Sequence, residues 1–200
     1  RNIRFGFSAG YKEAAKVYIL WPLLAALTLG LCSPYAFYRQ KRFLAENSSF
    51  GQTRFSFHAT WKDYYRIVMT ASLLALLAVA VLAVAAFLFM PLALLALPIY
   101  LYVFAYFSVN SGNLFYNSSR LSRHRLESTM EVKSYLALVL TNTLATALTL
   151  GLFHPWAKVR TQHYKARHLR LLPAGDLSDF VAARQKAVSA VGDASSDFFD

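Results

Sequence analysis

The chain has 200 residues, of which 56% are hydrophobic and only 16% charged. A soluble domain carries about a quarter charged residues, so the composition argues against a surface solvated by water all round. The formal charge is +11, and a single cysteine, Cys32, excludes an internal disulfide and a thiolate metal cluster.

The chain opens at Arg1, with no signal-peptide pattern, which reads as a piece of a longer protein. Arg4-Phe5-Gly6-Phe7 alternates apolar and polar residues at the strand period. The first apolar block follows over Ala14–Leu31, with Lys16 near its entrance. It closes in Gly30, Pro34, Tyr35 and Arg39. Glycine tolerates a left-handed helix end and proline cannot continue the helix. Tyr35 and Arg39 then suit headgroup depth.

The basic, aromatic run Tyr38–Phe43 suits anionic lipid better than nucleic acid, because it adjoins an apolar block. Phe43–Phe50 and Thr53–His58 flank Gly51-Gln52 and predict a β-hairpin. The second block, Ile67–Met90, holds no charge, and neither does the third, Leu92–Asn110. The uncharged turn around Met90-Pro91 predicts a tight helical hairpin with its tip on the non-cytoplasmic side. Asn113–Leu121 and His124–Thr129 make a weaker copy of the hairpin, and Asn47 and Asn117 read as hairpin polar groups.

The fourth block is Ser134–Phe153. Ala137, Thr141, Ala145 and Thr149 recur every four residues and line one helix stripe of small side chains, the pattern of close helix packing. Asn142 and Thr146 lie beside that stripe, where they bond a neighbouring helix or line a polar path. A bilayer core about 30 Å thick needs about 20 apolar residues. Four such blocks predict a mainly α, polytopic membrane protein. It has about four hydrophobic helices, with short β-hairpins at the membrane surface between them.

A shift of 121 positions superimposes two regions without a gap. Leu27-Thr28-Leu29-Gly30-Leu31 falls on Leu148-Thr149-Leu150-Gly151-Leu152. Pro34, Tyr35 and Arg39 fall on Pro155, Trp156 and Arg160. These six residues are predicted membrane-interface anchors. The domain reading is a membrane domain over 1–172, with copies of the motif at 4–43 and 125–164, followed by an amphipathic, acidic tail at 173–200. Residues 176–200 hold two basic and five acidic side chains, which leaves +14 on residues 1–175.

The run Leu148-Thr-Leu-Gly-Leu-x-x-Pro-Trp-Ala-Lys-Val-Arg160 resembles the YjgN-like family of bacterial inner-membrane proteins of unknown function. Asn117-Ser-Ser-Arg-Leu121, Arg54-Phe-Ser-Phe-His-Ala-Thr60 and Leu172-Pro-Ala-Gly-Asp-Leu177 resemble it too. The resemblance spans nearly the whole chain and implies a missing N-terminal part. It implies a multi-pass inner-membrane location and brings no substrate or catalytic residue. Tyr35 and Phe37-Tyr38 depart from the pattern.

Catalytic chemistry is hard to seat on this chain. Glu127 and Glu131 are four apart but have no nucleophile beside them. The histidines 58, 124, 154, 163 and 168 have no metal-ligand spacing. We therefore expect no enzyme, no cofactor and no metal. The expected partners are the bilayer, its anionic headgroups and a second copy of the chain, not nucleic acid. The expected role is a membrane scaffold or assembly module, and the alternative is a channel or facilitator for a small solute. Lys/Arg counts are balanced between the two sides of the four-span topology, a conflict that is relieved if the first and fourth blocks are re-entrant or lie partly at the interface.

Overall fold

A computed structural model describes residues 5–51, 53–88, 90 and 96–174. Arg4, Pro91 and the acidic tail from Asp176 lie outside them. The chain forms two compact units. One comprises Arg1–His58, Ser118–Leu126 and Leu171–Asp200, the other Ala59–Asn117 and Glu127–Arg170.

In the first unit, β1 (Phe5–Phe7) leads into α1 (Tyr11–Ala15), a π-helical turn over Lys16–Leu20, and α2 (Trp21–Leu27). The π-turn has a local cause. Pro22 at the start of α2 lacks an N–H, and its ring crowds the carbonyl one turn back, so the helix widens just before it. The chain reverses and returns as α3 (Ser33–Asn47). Strands β2 (Ser48–Phe50) and β3 (Thr53–Phe57) follow.

The second unit holds α4 (Trp61–Leu88) and α5 (Ala96–Ser118). It also holds α6 (Val132–Leu148) and α7 (His154–Arg167). Between α5 and α6 the chain makes β4 (Ser119–Leu121) and β5 (His124–Ser128), and after α7 it makes β6 (Leu169–Leu172). The core of this unit is Ala105, Val109, Met130 and Tyr135, with Leu138 and Tyr164 packed against it. Two asparagines of α5, four residues apart, pin the start of α6. Asn113 Nδ2 donates to Met130 O at 2.9 Å, and Asn117 Oδ1 accepts from Ser128 N at 2.6 Å.

The strands form one sheet in the order β1-β2-β3-β4-β5-β6. The expected hairpins are both present but shorter, and they do not stand apart: Phe55 pairs with Leu121 and Phe57 with Ser119, antiparallel. Phe43–Asn47 and Asn113–Ser118, expected in strands, are helical. Asn47 closes α3 by donating Nδ2 to Phe43 O at 2.9 Å, so a residue that signals a turn here ends a helix.

The expectation of four long helices is corrected in length. Among the described residues one helix, Trp61–Phe87, is long and apolar enough to cross a membrane, with a mean hydropathy of 2.8. The fourth block breaks: α6 has 17 residues, about 26 Å, and stops at Leu148. The first block stops likewise at Leu27.

Candidate functional site

The two breaks have the same construction, bond for bond, at positions 121 apart. Leu29 and Leu150 are left-handed, at φ 52° and 50°, and Gly30 and Gly151 follow at 90° and 95°. Gly30 N donates to Ala25 O and Gly151 N to Thr146 O, both at 2.7 Å. Leu29 N donates to Ala26 O and Leu150 N to Ala147 O, both at 3.1 Å. These are the two bonds of a Schellman closure, with leucine where glycine is usual. Thr28 Oγ1 donates to Leu24 O and accepts from Cys32 N. Thr149 Oγ1 donates to Ala145 O and accepts from Phe153 N. The bond that joins the end of the return helix to the residue after the first strand also recurs, as Ser8 N to Asn47 O and Thr129 N to His168 O, both 3.0 Å.

The tips present leucines. Leu27, Leu29 and Leu31 are 69–95% exposed, and Leu148, Leu150 and Leu152 are 78–95% exposed.

In the second unit α6 and α7 flank an open groove of about 630 Å³, with Phe104 of α5 contributing. The lining residues His154, Ala157, Lys158, Thr161 and Gln162 repeat at helical spacing on one face of α7. Facing them from α6 are Tyr135, Val139, Asn142, Thr143 and Thr146. Asn142 anchors the crossing. It is 8% exposed. Its Oδ1 accepts from Arg160 Nη1 at 2.8 Å, and its Nδ2 donates to Thr161 Oγ1 and Ala157 O at 3.3 Å. Arg160 Nη2 reaches Thr141 Oγ1 at 3.4 Å.

The other hairpin carries a counterpart. Its groove, about 170 Å³, is lined by Pro22, Ala25, Ser33, Ala36, Phe37 and Gln40. Shifted by 121, each falls on a lining residue of the larger groove. The contents differ. Trp21 stands where Asn142 stands, its ring 4.6 Å from Tyr35, and Phe37 stands where Lys158 stands. Among the described residues, no charged one lines the small groove.

The charge of the return helices also differs. In α3, Arg42 donates to Glu46 Oε1 at 2.8 Å and to Tyr38 OH at 3.1 Å. Both bonds push the guanidinium further above its ordinary value. Helix α7 carries Lys158, Arg160, Lys165 and Arg167 and no acidic residue.

The other predicted positions are distributed as follows. Pro34 is fully buried, Tyr35 half-buried, and Pro155, Trp156 and Arg160 exposed. Arg39 is half-buried, with its Nε enclosed and unbonded. Ala137, Thr141 and Thr149 are exposed, Ala145 and Thr146 half-buried. Glu127 lies in β5 and Glu131 is the N-cap of α6, so no helical face holds both. His124 is buried, its Nδ1 accepting from Ala174 N at 3.2 Å. Lys158 and Gln162 line the groove without having been among the predicted positions. The available signal was the i, i+3, i+4 spacing from His154 onward.

No curated protein matches the chain, and no solved structure matches it. The match to a family profile runs over residues 1–198, essentially the whole length. The chain therefore belongs to the family described as bacterial protein of unknown function (DUF898).

Proposed function

We propose that the chain is a non-enzymatic module of the bacterial inner membrane, a scaffold in which α4 crosses the bilayer, α5 returns, and each leucine-tipped hairpin enters a leaflet without crossing. The observation that carries the reading is the surface of α4. Its residues Leu73, Leu76, Leu77, Val79, Val81, Val84 and Phe87 are 56–91% exposed. A core helix of a soluble protein would bury them; lipid is the solvent that suits them.

The tips support the same reading. Lipid offers no hydrogen bonds, so a turn inside it must bond its own backbone. From Thr28 to Ser33 every N–H has an acceptor within the chain. So has every N–H from Thr149 to His154. Helices α3 and α7, with their cations, rest among anionic headgroups, in the manner of interfacial helices buried about 5–10 Å deep. Pro34, Tyr35, Arg39 and their counterparts Pro155, Trp156 and Arg160 act as anchors at that depth. On this reading the hairpins are two copies of one unit.

Connectivity supplies the topology. Each helical excursion leaves one strand and returns to its neighbour, β1 to β2, β3 to β4 and β5 to β6. Paired strands share one aqueous side, so each excursion returns to the side it left and the Lys/Arg conflict disappears. Self-association belongs to the same proposal, because Ala80, Val81, Val84 and Ala85 leave a recess on α4 that a second apolar helix fills.

The test has two parts. Membranes washed in alkaline carbonate retain the protein; release into the wash overturns the proposal. In a Cys32→Ser background, Arg54→Cys and Arg123→Cys react with an impermeant maleimide from the same side of the membrane. Labelling from opposite sides overturns the topology.

A second reading is a facilitator for a small solute. Asn142 and Thr146 at the groove favour it, and uptake by liposomes above empty vesicles would establish it.

A further inference from the structure

We infer that the α6–α7 groove binds one anionic phospholipid, its phosphate at Lys158 and an acyl chain along Phe104, Val139 and Leu150. The inference rests on the membrane reading above and adds a specific ligand to it.

Three observations converge on that ligand. The groove has the size of a ligand site, about 630 Å³, within the range of about 300–1,000 Å³ typical of small-molecule pockets. Its lining holds both chemistries that such a ligand needs: Phe104, Val139 and Leu150 are aromatic or aliphatic, and Thr143, Gln162 and Lys158 supply donors. No carboxylate lines it, and among the described residues Lys158 has no ion pair. A phosphate diester is the anion that brings its own apolar tail to such a place.

The α1–α3 hairpin serves as an internal control. Its turn is the same and its groove uses equivalent positions, yet Trp21 stands in place of Asn142 and Phe37 in place of the ammonium group. Folding alone is therefore satisfied by the small, uncharged form. Asn142 keeps the crossing polar at modest bulk, because its hydrogen bonds to Arg160 and Thr161 replace aromatic packing. Neighbouring Arg160 is already committed to Asn142 and Thr141, which leaves Lys158 as the groove's available cation among the described residues.

The experiment uses the full chain in nanodiscs of phosphatidylcholine doped with phosphatidylglycerol, released into the mass spectrometer under native conditions. The wild type is expected to retain one phosphatidylglycerol per chain, in preference to phosphatidylcholine. Lys158→Gln and Asn142→Trp each lower that retention at least ~5-fold, while Gln40→Leu in the small groove leaves it unchanged. Equal retention of the two lipids, or retention indifferent to Lys158→Gln, overturns the site. Displacement of the lipid by millimolar inorganic phosphate alone also overturns it, in favour of a free-anion site. Lys158 is exposed, so its variant folds even if Asn142→Trp does not. Release by carbonate would bring down the membrane reading as a whole; a carbonate-resistant protein without bound phosphatidylglycerol brings down this site alone.

Discussion

The α1–α3 and α6–α7 hairpins share a turn and differ in what fills the angle behind it. The turn is built from Leu-Thr-Leu-Gly-Leu, and it repeats to within a few degrees and about 0.2 Å in its backbone and threonine hydroxyl bonds. Behind it one hairpin closes with an indole against a phenol, the other with an amide against a guanidinium and a hydroxyl. The difference teaches that the reversal of the chain is set by five residues, and that the space between the arms is free to vary. Where it varies toward polarity, it also gains volume and a positive charge.

The largest expected effect tests the shared part. Gly30→Val and Gly151→Val meet open space, since, chain neighbours aside, no atom of the described residues lies within 4 Å of an added Cβ at either site. Each therefore reports backbone strain alone, about 3 kcal/mol for a β-branched residue held at positive φ. Melting followed in detergent should give matched losses; a gap above about 1 kcal/mol breaks the equivalence of the turns.

Trp21→Ala comes next, with a loss of about 3 kcal/mol at most, because the indole is only half-buried. Asn142→Leu costs about 1–2 kcal/mol by leaving Arg160 and Thr161 without their partner. If both variants melted like the wild type, neither filling would hold its hairpin.

The smallest effect lies outside the hairpins and calibrates the rest. Thr60 N and Oγ1 donate to Asp63 Oδ2 at 2.8 and 2.7 Å and cap the start of α4. Loss of one such cap at a helix end costs about 0.5 kcal/mol. Asp63→Ala should let Trp61 fluorescence report earlier fraying of the first turn on heating, and an unchanged profile would show that the cap holds nothing.

The sequence made α4 legible because a long apolar run has one structural meaning. Its true start, six residues earlier than the block at Ile67, was also there to read in the capping pair Thr60 and Asp63. The turns were legible because they occur twice, though the left-handed backbone begins at leucine, one residue before the expected glycine. The two hairpins were legible, but their strand ends and their joining into one sheet were not. Strands of three to five residues offer few positions for alternation to mark a boundary, and the pairing of Phe55 with Leu121 depends on partners far apart in the chain. The grooves were hidden for a related reason. Their walls come from separate helices, and only the angle between those helices decides whether Lys158 faces a cavity or water.

The pairing of β3 with β4 has a consequence for biogenesis. Phe57 meets Ser119 only after the whole α4–α5 excursion has been synthesised, whereas β1 and β2 close across the first hairpin alone. The ribosome therefore delivers the parts in a set order: β1 can meet β2 before α4 is made, β3 waits for β4, and the last strands join an edge already formed.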